Sequence, residues 1–317
     1  MNSKIEVDVG FWNLLRAYLE SSIVEFEESA IEETRISLNE FVYAVQKFPV
    51  PVGFLDFSTY EESDLSRFSN DQIGHFFASG IIAHSYERLL IVQDLILGWM
   101  DSLKSGSILP ACLLSRSMLE FGADAIADLE KLKLEIKKLS IEEFDRFSKD
   151  PASSLFECVR NLRYSGKSEA WNLAKTQTNV MTAIKKLPNW ASQSYDDLSE
   201  VCHPNSASGS NYWSVGSPSK DGITRNRYQT DLRDSPTPFK RYLLVGVFIA
   251  CKAHVDLIDY SNSLVLCLTT ITKHVNPGDR RFIGLPNPLN GNDKCFCGSG
   301  SKFKGCGHVD FFRNGGL

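Results

Sequence analysis

Apolar positions along this chain recur mostly at the three- and four-residue spacing of helices. From Gly10 to Phe48 this pattern, with acidic residues on the opposite side, predicts one or two amphipathic helices, which the prolines that follow bring to an end. A long helix is expected to start at Ser69-Asn70-Asp71-Gln72 and to stop at Ser105-Gly106-Ser107. A second should run from about Ile108 to Leu139. The short turn between the two predicts an antiparallel helical hairpin at the core of the fold.

The pattern then changes twice before the C-terminal segment. Residues 141 to 201 predict several shorter helices, punctuated by Pro151, Gly166 and Pro188. Residues 206–233 are rich in Gly, Ser and Asn, and short strands at 211–215 and 222–224 would form a hairpin there. A largely buried helix should open near Pro236 and Pro238 and continue to about residue 274. We therefore predict a mainly α fold, with a helical bundle over residues 1–275 and a small β-hairpin insertion.

A proline- and glycine-containing linker at 276–291 leads to a segment of different chemistry, NDKCFCGSGSKFKGCGH. It carries four candidate metal ligands within one short stretch of sequence: Cys295, Cys297, Cys306 and His308. Three thiolates and an imidazole suit a tetrahedral Zn²⁺ with no open position, which is typical of a structural site. The segment has too few apolar residues for a core, and metal binding can supply the missing folding energy. The alternative is a flexible tail with incidental thiols.

These residues resemble the SEC-C motif, the small zinc-binding module found at the C-terminus of the bacterial preprotein translocase motor and of many otherwise unrelated proteins. The resemblance lies in Asn292-Asp293, the run from Cys295 to Gly300, the run from Lys302 to Lys304, and Cys306. The usual pattern has Cys or His directly after the third Cys, whereas here Gly307 intervenes before His308. The resemblance implies a zinc module over 292–317. In the translocase motor the module contacts an acidic chaperone surface, so Lys302, Phe303 and Lys304 are expected to contact a partner protein.

Composition narrows the classes of partner and compartment. A net charge of −5 over 317 residues does not indicate a general nucleic-acid-binding surface. The N-terminus is polar and acidic, and the longest apolar run, 242–251, is about half of a membrane span, so we expect a cytoplasmic protein without a transmembrane helix. The remaining cysteines lack paired spacing and are expected to be free thiols in a reducing compartment: Cys112, Cys158, Cys202, Cys251 and Cys267.

Two features of the helical body are candidate sites. Arg116, Glu120, Asp124 and Asp128 recur every fourth residue on one helix, and therefore form one polar stripe. The stripe is either a solvated face with an Arg–Glu pair or a polar seam lining a pocket, in which Arg116 would bind an anion. His203, before Pro204-Asn205, is either part of a helix end and turn or a catalytic group.

Three functions are compatible with these patterns. Familiar catalytic motifs are absent, which favours an adapter whose zinc module docks on a partner protein. The second is a bacterial defence effector, a nuclease or nucleotide-processing enzyme using Arg116, Glu120 and His203; the helical body resembles a group of uncharacterised all-helical bacterial proteins that carry a SEC-C tail. The third is a module that binds anionic lipid or nucleic acid, with a steep salt dependence.

Overall fold

The computed structural model describes residues 5, 9–20, 28–47, 70–138, 180–202, 213–214, 227–228, 242–271, 292–293, 301–302 and 305. Within these ranges nearly all residues belong to six α-helices, which we number α1 to α6 along the chain. The expectation of a mainly α fold is confirmed. None of the helices in these ranges combines the length and hydropathy that a membrane crossing requires.

Two amphipathic helices open the described chain, as predicted. Helix α1 spans Val9–Glu20 and α2 spans Glu28–Lys47. Their apolar sides are buried at positions spaced by three or four residues, among them Phe11 and Leu15 on α1 and Leu38 and Phe41 on α2. The ring of Phe11 meets Trp99 edge-on, with 5.6 Å between centroids, and Trp99 is completely buried. This aromatic pair anchors α1 to the third helix.

The predicted helical hairpin is present. Helix α3 spans Asn70–Lys104 and α4 spans Ile108–Lys138. Gly106 adopts the left-handed conformation, with φ of 73°, and its N–H donates to the carbonyl of Leu103 at 3.0 Å. Glycine suits this position because a side chain disfavours that conformation.

The residues of α3 and α4 that contact each other are those expected for two neighbouring antiparallel helices. The side chain of Leu114 covers Gly98, so that a Cβ added there would lie 3.3 Å from Leu114 Cδ1. His84 meets Asp128 in the same way. In each pair the two residues lie equally far along the chain from Gly106, as a hairpin with a tight turn requires.

A short helical segment at 180–184 and helix α5, Asn189–Cys202, represent the predicted series of shorter helices. The carbonyl of Pro188 accepts hydrogen bonds from the backbone N–H groups of Ala191 and Ser192, at 2.8 and 3.1 Å, which starts α5 directly after the proline. One side of α5 is buried at helical spacing and the other is exposed.

Helix α6, Leu243–Ile271, packs against α4 at very short range. A Cβ on Gly246 would stand only 2.1 Å from the carbonyl oxygen of Ser115. The Ser115 hydroxyl donates to the backbone oxygens of Tyr242 and Leu243 at 3.0 and 3.1 Å, where the first turn of α6 passes α4. Two small residues therefore let the backbones of α4 and α6 approach each other.

Two short strands are described in the glycine- and serine-rich segment. Trp213–Ser214 pairs antiparallel with Arg227–Tyr228, with Trp213 opposite Tyr228. The strand Trp213–Ser214 falls within the strand expected at 211–215. The second expected strand, 222–224, lies outside the described residues. The linker expected at 276–291 lies outside them as well.

By their contacts the residues divide into two compact units. Unit 1 comprises Met1–Gln46, Leu89–Ala125 and Asn179–Val255, and unit 2 comprises Lys47–Arg88, Ile126–Thr178 and Asp256–Leu317. Helices α3, α4 and α6 each contribute residues to both units. Among the described residues, α4 supplies ionisable side chains to one cluster in unit 1 and to another in unit 2.

Candidate functional site

Arg116, Glu120 and Tyr195 form the polar cluster of unit 1. Arg116 and Glu120 lie one turn apart on α4, with Arg116 Nε 3.4 Å from Glu120 Oε1, and their side chains are 28% and 33% exposed. The residues on the opposite side of the same turns, Met118 and Leu119, are completely buried. The apolar side of α4 thus fixes the helix and leaves the Arg–Glu pair at the boundary with solvent.

Tyr195, on α5, bridges the pair. Its hydroxyl accepts a hydrogen bond from Arg116 Nη2 at 3.1 Å and donates one to Glu120 Oε1 at 2.9 Å. The guanidinium carbon of Arg116 also lies 5.2 Å from the centre of the Tyr195 ring, within the range of a cation–π interaction. The three side chains therefore tie α5 to α4.

The electrostatics of this cluster keep Arg116 charged and Tyr195 neutral at neutral pH. Burial acts against the charged form of Arg116, but its hydrogen bond to Tyr195 and the nearby negative groups raise its pKa on balance. Burial also raises the pKa of Tyr195, and the hydrogen bond from Arg116 only partly opposes this. Tyr195 is therefore a neutral phenol, able to hold a ligand group but not poised as a base.

Cys202 ends α5 beside the same cluster and could in principle be a nucleophile. Burial raises the pKa of its thiol, although Arg116 acts in the opposite direction. A reactive cysteine requires the thiolate, which a raised pKa disfavours at neutral pH. Cys112 and Cys251 are completely buried, and burial raises their pKa values too. We therefore expect none of these three thiols to be a nucleophile at neutral pH.

Unit 2 contains a second cluster, formed by His84 and Arg88 on α3 and Asp128 on α4. His84 Nε2 and Arg88 Nη1 lie 3.3 and 3.4 Å from the same oxygen, Asp128 Oδ2. The exposed fractions of the three side chains are only 9%, 10% and 4%. Beside His84, the Ser85 hydroxyl bonds to Ser261 on α6 at 3.1 Å. The cluster is a buried polar layer that connects α3 with α4.

The polar stripe predicted on α4 is thereby divided. Arg116 and Glu120 remain partly solvated, in agreement with the solvated-face interpretation, but that interpretation is wrong for Asp128, which is 3% exposed as a residue. The reason is that the stripe runs under α3, whose His84 and Arg88 supply partners for a buried carboxylate. Asp124, between them, is half-buried.

Sequence reasoning missed three residues of these clusters: His84, Arg88 and Tyr195. A signal was present, because His84 and Arg88 lie one turn apart on an apolar helix and His84 is as far from Gly106 as Asp128. Tyr195 carried no such signal. His203 lies outside the described residues.

The C-terminal segment is described at five residues only, and Cys295, Cys297, Cys306 and His308 are not among them. The N–H of Gly305 donates to the carbonyl of Lys302 at 2.9 Å, which closes a tight turn directly before Cys306. Lys302 and Gly305 are exposed, and nothing lies within 4 Å of a Cβ added at Gly305. In the described ranges, no group of three or more His, Cys, Asp or Glu side chains could hold a metal ion.

No family model, curated protein or solved structure matches this chain. Function is therefore inferred from the chemistry of the residues themselves. The two clusters of the helical body and the cysteine-rich C-terminal segment are the features on which such an inference can rest.

Proposed function

We propose that residues 292–317 form a structural zinc module of the SEC-C type and that the protein is an adapter, with this module docking on a partner protein. The observation that carries the proposal is the set of four soft or borderline ligands, Cys295, Cys297, Cys306 and His308, within one short segment. Gly298 and Gly300 follow the first two cysteines, where a turn can direct backbone N–H groups at the thiolates. Such spacing is typical of a closed, tetrahedral zinc site.

The turn from Lys302 to Gly305 supports this proposal. It closes immediately before Cys306 through the hydrogen bond between Gly305 N–H and the Lys302 carbonyl. A reversal at this point would return Cys306 toward the first two cysteines. Because the turn requires no metal for its own hydrogen bond, it would reduce the loss of chain entropy when zinc binds.

The docking surface proposed on the module consists of Lys302, Phe303 and Lys304. Lys302 is exposed. Two cations beside an aromatic side chain favour an acidic partner surface with an apolar pocket, since charge would steer the encounter and the ring would supply buried area. A partner bound in this way is held partly by ionic contacts, so its affinity should fall moderately with salt.

The chemistry of the helical body is consistent with a scaffold. In the cluster of unit 1, the hydroxyl of Tyr195 is engaged by both Arg116 and Glu120, and Tyr195 and Cys202 both have raised pKa values. Neither Tyr195 nor Cys202 is an activated nucleophile or base at neutral pH. This chemistry supports recognition as the role of the helical body.

Metal analysis of the purified full chain under reducing conditions tests the zinc site. We expect about one zinc per chain, loss of that zinc in Cys297→Ser, and retention in the control variant Cys202→Ser, whose thiol belongs to the helical body. Chain without stoichiometric zinc, or a Cys297→Ser variant that keeps it, would overturn the site.

Quantitative affinity capture from the host cell tests the adapter. Intact protein and Cys202→Ser should recover the same partner, whereas Cys297→Ser and the double variant Lys302→Ala/Lys304→Ala should recover much less of it. The double variant must still bind zinc, so that its loss of partner reports the docking surface and not the metal. Equal recovery with all four proteins would contradict the adapter function.

A defence effector enzyme is the second candidate, favoured by one observation. Cys202, the residue directly before His203, interacts electrostatically with Arg116. If Arg116, Glu120 and His203 act together on a nucleic acid or nucleotide, purified protein should degrade single-stranded RNA, double-stranded DNA or a nucleoside triphosphate, and Glu120→Gln should abolish this. Absence of any turnover of these three substrate classes would leave the adapter alone.

A further inference from the structure

Arg116 and Glu120 present opposite charges side by side at the boundary with solvent, where α5 packs on α4. The Tyr195 hydroxyl, which joins them from α5, accepts a hydrogen bond from Arg116 and donates one to Glu120. Tyr195 itself is only 5% exposed, so it holds the pair from the buried side. The Arg116–Glu120 pair is therefore arranged for a group that offers it a hydrogen-bond acceptor and a donor close together.

These contacts do not use all the hydrogen-bonding capacity of the pair. The Tyr195 hydroxyl takes one of the five N–H donors of Arg116, and Nε is buried without a hydrogen-bond partner in the part of the chain that the structure describes. The Cys202 thiol, which also interacts with Arg116, is a weak acceptor. Both contacts of Glu120 fall on Oε1, and among the described residues none falls on Oε2. Because both side chains are partly exposed, a ligand can bond to them beside the hydroxyl or in its place.

The charges around the pair disfavour a simple anion. Arg116 is the one basic residue in the segment 105–130, and the sequence of α5 contains none. Asp196 and Asp197 directly follow Tyr195, and Asp197 accepts a hydrogen bond from the neutral amide of Gln193. A phosphate or a nucleotide would meet these negative charges as well as that of Glu120. A ligand with one negative and one positive group has no net charge and avoids this repulsion.

Apolar area lies on the same side of α4 as the pair. Leu113 is three residues before Arg116 and seven before Glu120, a spacing that places all three on one face of the helix. Its side chain belongs to the exposed large hydrophobic residues, at 43%. Leu113 can therefore cover an apolar group of a ligand that the pair holds.

We propose that this cluster binds a free α-amino acid with an apolar side chain. The carboxylate of the ligand would accept hydrogen bonds from Arg116, its ammonium group would donate to Glu120, and its side chain would lie on Leu113. An α-amino acid carries both charges on groups attached to one carbon atom, which suits two side chains one helical turn apart, whereas a peptide separates them. The inference goes beyond the adapter function and does not depend on zinc.

Isothermal titration calorimetry of the full chain with L-leucine tests the proposal. We expect one site per chain, with Kd in the range of about 10 µM to 1 mM for a small ligand in a partly exposed site. N-acetyl-L-leucine lacks the ammonium charge and L-leucinamide lacks the carboxylate, so each should bind about tenfold more weakly or worse. Cys297→Ser should bind L-leucine like the intact chain, so that a failure of the zinc module and a failure of this site are distinguishable.

Single variants assign the two ends of the ligand. Arg116→Gln should weaken the binding of L-leucine by about tenfold and remove its advantage over L-leucinamide. Glu120→Gln should instead remove its advantage over N-acetyl-L-leucine. The matched control is Arg35→Gln, which removes the same charge from the exposed pair of Arg35 and Glu32 on α2 and should leave binding unchanged. Circular dichroism confirms that every variant is folded.

Three outcomes would overturn the proposal. The first is an intact chain that binds no L-leucine at concentrations up to about 20 mM. The second is N-acetyl-L-leucine or inorganic phosphate binding as tightly as L-leucine, which would describe a simple anion site at Arg116. The third is an equal loss for all ligands in both variants, which would mean that Arg116 and Glu120 only tie α5 to α4.

Discussion

Helix α4 supplies residues to two polar clusters that differ chiefly in their access to water. In unit 1, Arg116 and Glu120 retain about a third of their exposure and share the hydroxyl of Tyr195. In unit 2, Asp128 is almost completely buried and receives both His84 and Arg88. The same spacing along one helix thus produces a solvated pair and a desolvated one. Periodicity alone does not distinguish them, because it fixes the face of a helix but not what covers that face.

The difference determines what each cluster can contribute. A partly exposed group that loses its partner is rehydrated at a lower cost than a buried one, so Arg116 and Glu120 can accept a ligand in place of the Tyr195 hydroxyl. A buried charge that loses its partner has no water to replace it. The cluster of unit 2 is therefore expected to fix the register of α3 against α4, and the cluster of unit 1 is the better place for binding.

The largest effect should follow from Asp128→Asn. The substitution keeps the shape of the side chain but removes its charge, and Arg88 cannot lose its proton to compensate. We expect the free energy of unfolding to fall by about 3–5 kcal/mol, measured by urea denaturation. Asp101→Asn, at an exposed position of α3, is the control and should change it by less than about 0.5 kcal/mol.

Removing the charges of Arg88 and Asp128 together tests whether the loss of stability comes from an unpaired buried charge. Arg88→Met combined with Asp128→Leu should cost much less than the sum of the two single changes, since no charge is left buried. Additive losses, or a loss below about 1 kcal/mol in Asp128→Asn, would show that water reaches this cluster and would remove the contrast with unit 1.

A somewhat smaller effect is expected where α6 passes α4, one residue before Arg116. In Gly246→Ala the new Cβ would meet the Ser115 carbonyl oxygen at 2.1 Å, and since that oxygen belongs to the backbone and a Cβ is fixed rigidly to it, the backbones of α4 and α6 must shift. We expect a loss of about 1–3 kcal/mol in the free energy of unfolding, despite the better helix propensity of alanine. The same substitution would also displace the backbone of α4 next to Arg116.

Gly98→Ala is the matched control for this prediction. Its nearest neighbour would be a terminal methyl of Leu114 at 3.3 Å, which can move. Alanine gains roughly 0.5–1 kcal/mol of helix propensity, so Gly98→Ala should be neutral or slightly stabilising. Equal destabilisation by the two substitutions would mean that the close approach of α4 and α6 is not what Gly246 provides.

Much of this fold could be predicted from the sequence because the signals are local. The start of α3 at Asn70, the stop at Gly106 and the start of α5 after Pro188 each follow from a cap, a glycine or a proline. The pairing of Asp128 with His84 and Arg88 depends instead on which helix covers α4. That is a tertiary property, which the propensities of α4 do not contain, and the equal distances of His84 and Asp128 from Gly106 indicate it only once the α3–α4 hairpin is assumed.

The candidate site was predicted in part for the same reason. Arg116 and Glu120 are neighbours by helical spacing, and their pairing was therefore accessible from the sequence. Tyr195 comes from a helix far along the chain, and its contact with them requires the α4–α5 packing. The zinc ligands remain a prediction of the sequence, since they lie outside the described residues.

Alkaline pH should lower the free energy of unfolding more through the fully buried thiols of Cys112 and Cys251 than through the partly solvated thiol of Cys202. Burial raises the folded-state pKa values of Cys112 and Cys251 above the ordinary 9.0, so the unfolded chain releases these protons first as pH rises. Each thiol therefore stabilises the fold below about pH 9, and above it that stability falls by about 1.4 kcal/mol per pH unit per thiol. Urea denaturation from pH 8 to 10 should show this loss.

The slope in single variants identifies the thiols responsible. Cys112→Ala and Cys251→Ala should each flatten the alkaline loss, whatever the cavity costs at pH 8. Cys202→Ala should flatten it less, because Cys202 is only half-buried and Arg116 favours its thiolate. Identical slopes for the three variants would mean that Cys202 is as desolvated as the others, contrary to its position beside the cluster of unit 1.

Tyr195→Phe should have the smallest effect on folding and the clearest bearing on function. The phenyl ring can still pack under the guanidinium of Arg116, and although Tyr195 itself is buried, the Arg116 and Glu120 side chains that lose its hydroxyl are partly exposed. We expect the free energy of unfolding to fall by about 0.5–1.5 kcal/mol at neutral pH. The matched change Tyr43→Phe, at a position of α2 that is 62% exposed, should cost less, because water competes for any hydrogen bond of its hydroxyl. A loss for Tyr195→Phe as large as that for Asp128→Asn would show that water does not reach Arg116 and Glu120 when their partner is removed. Both clusters would then be structural. The partial exposure of Arg116 would no longer support the binding of an anion or nucleotide there.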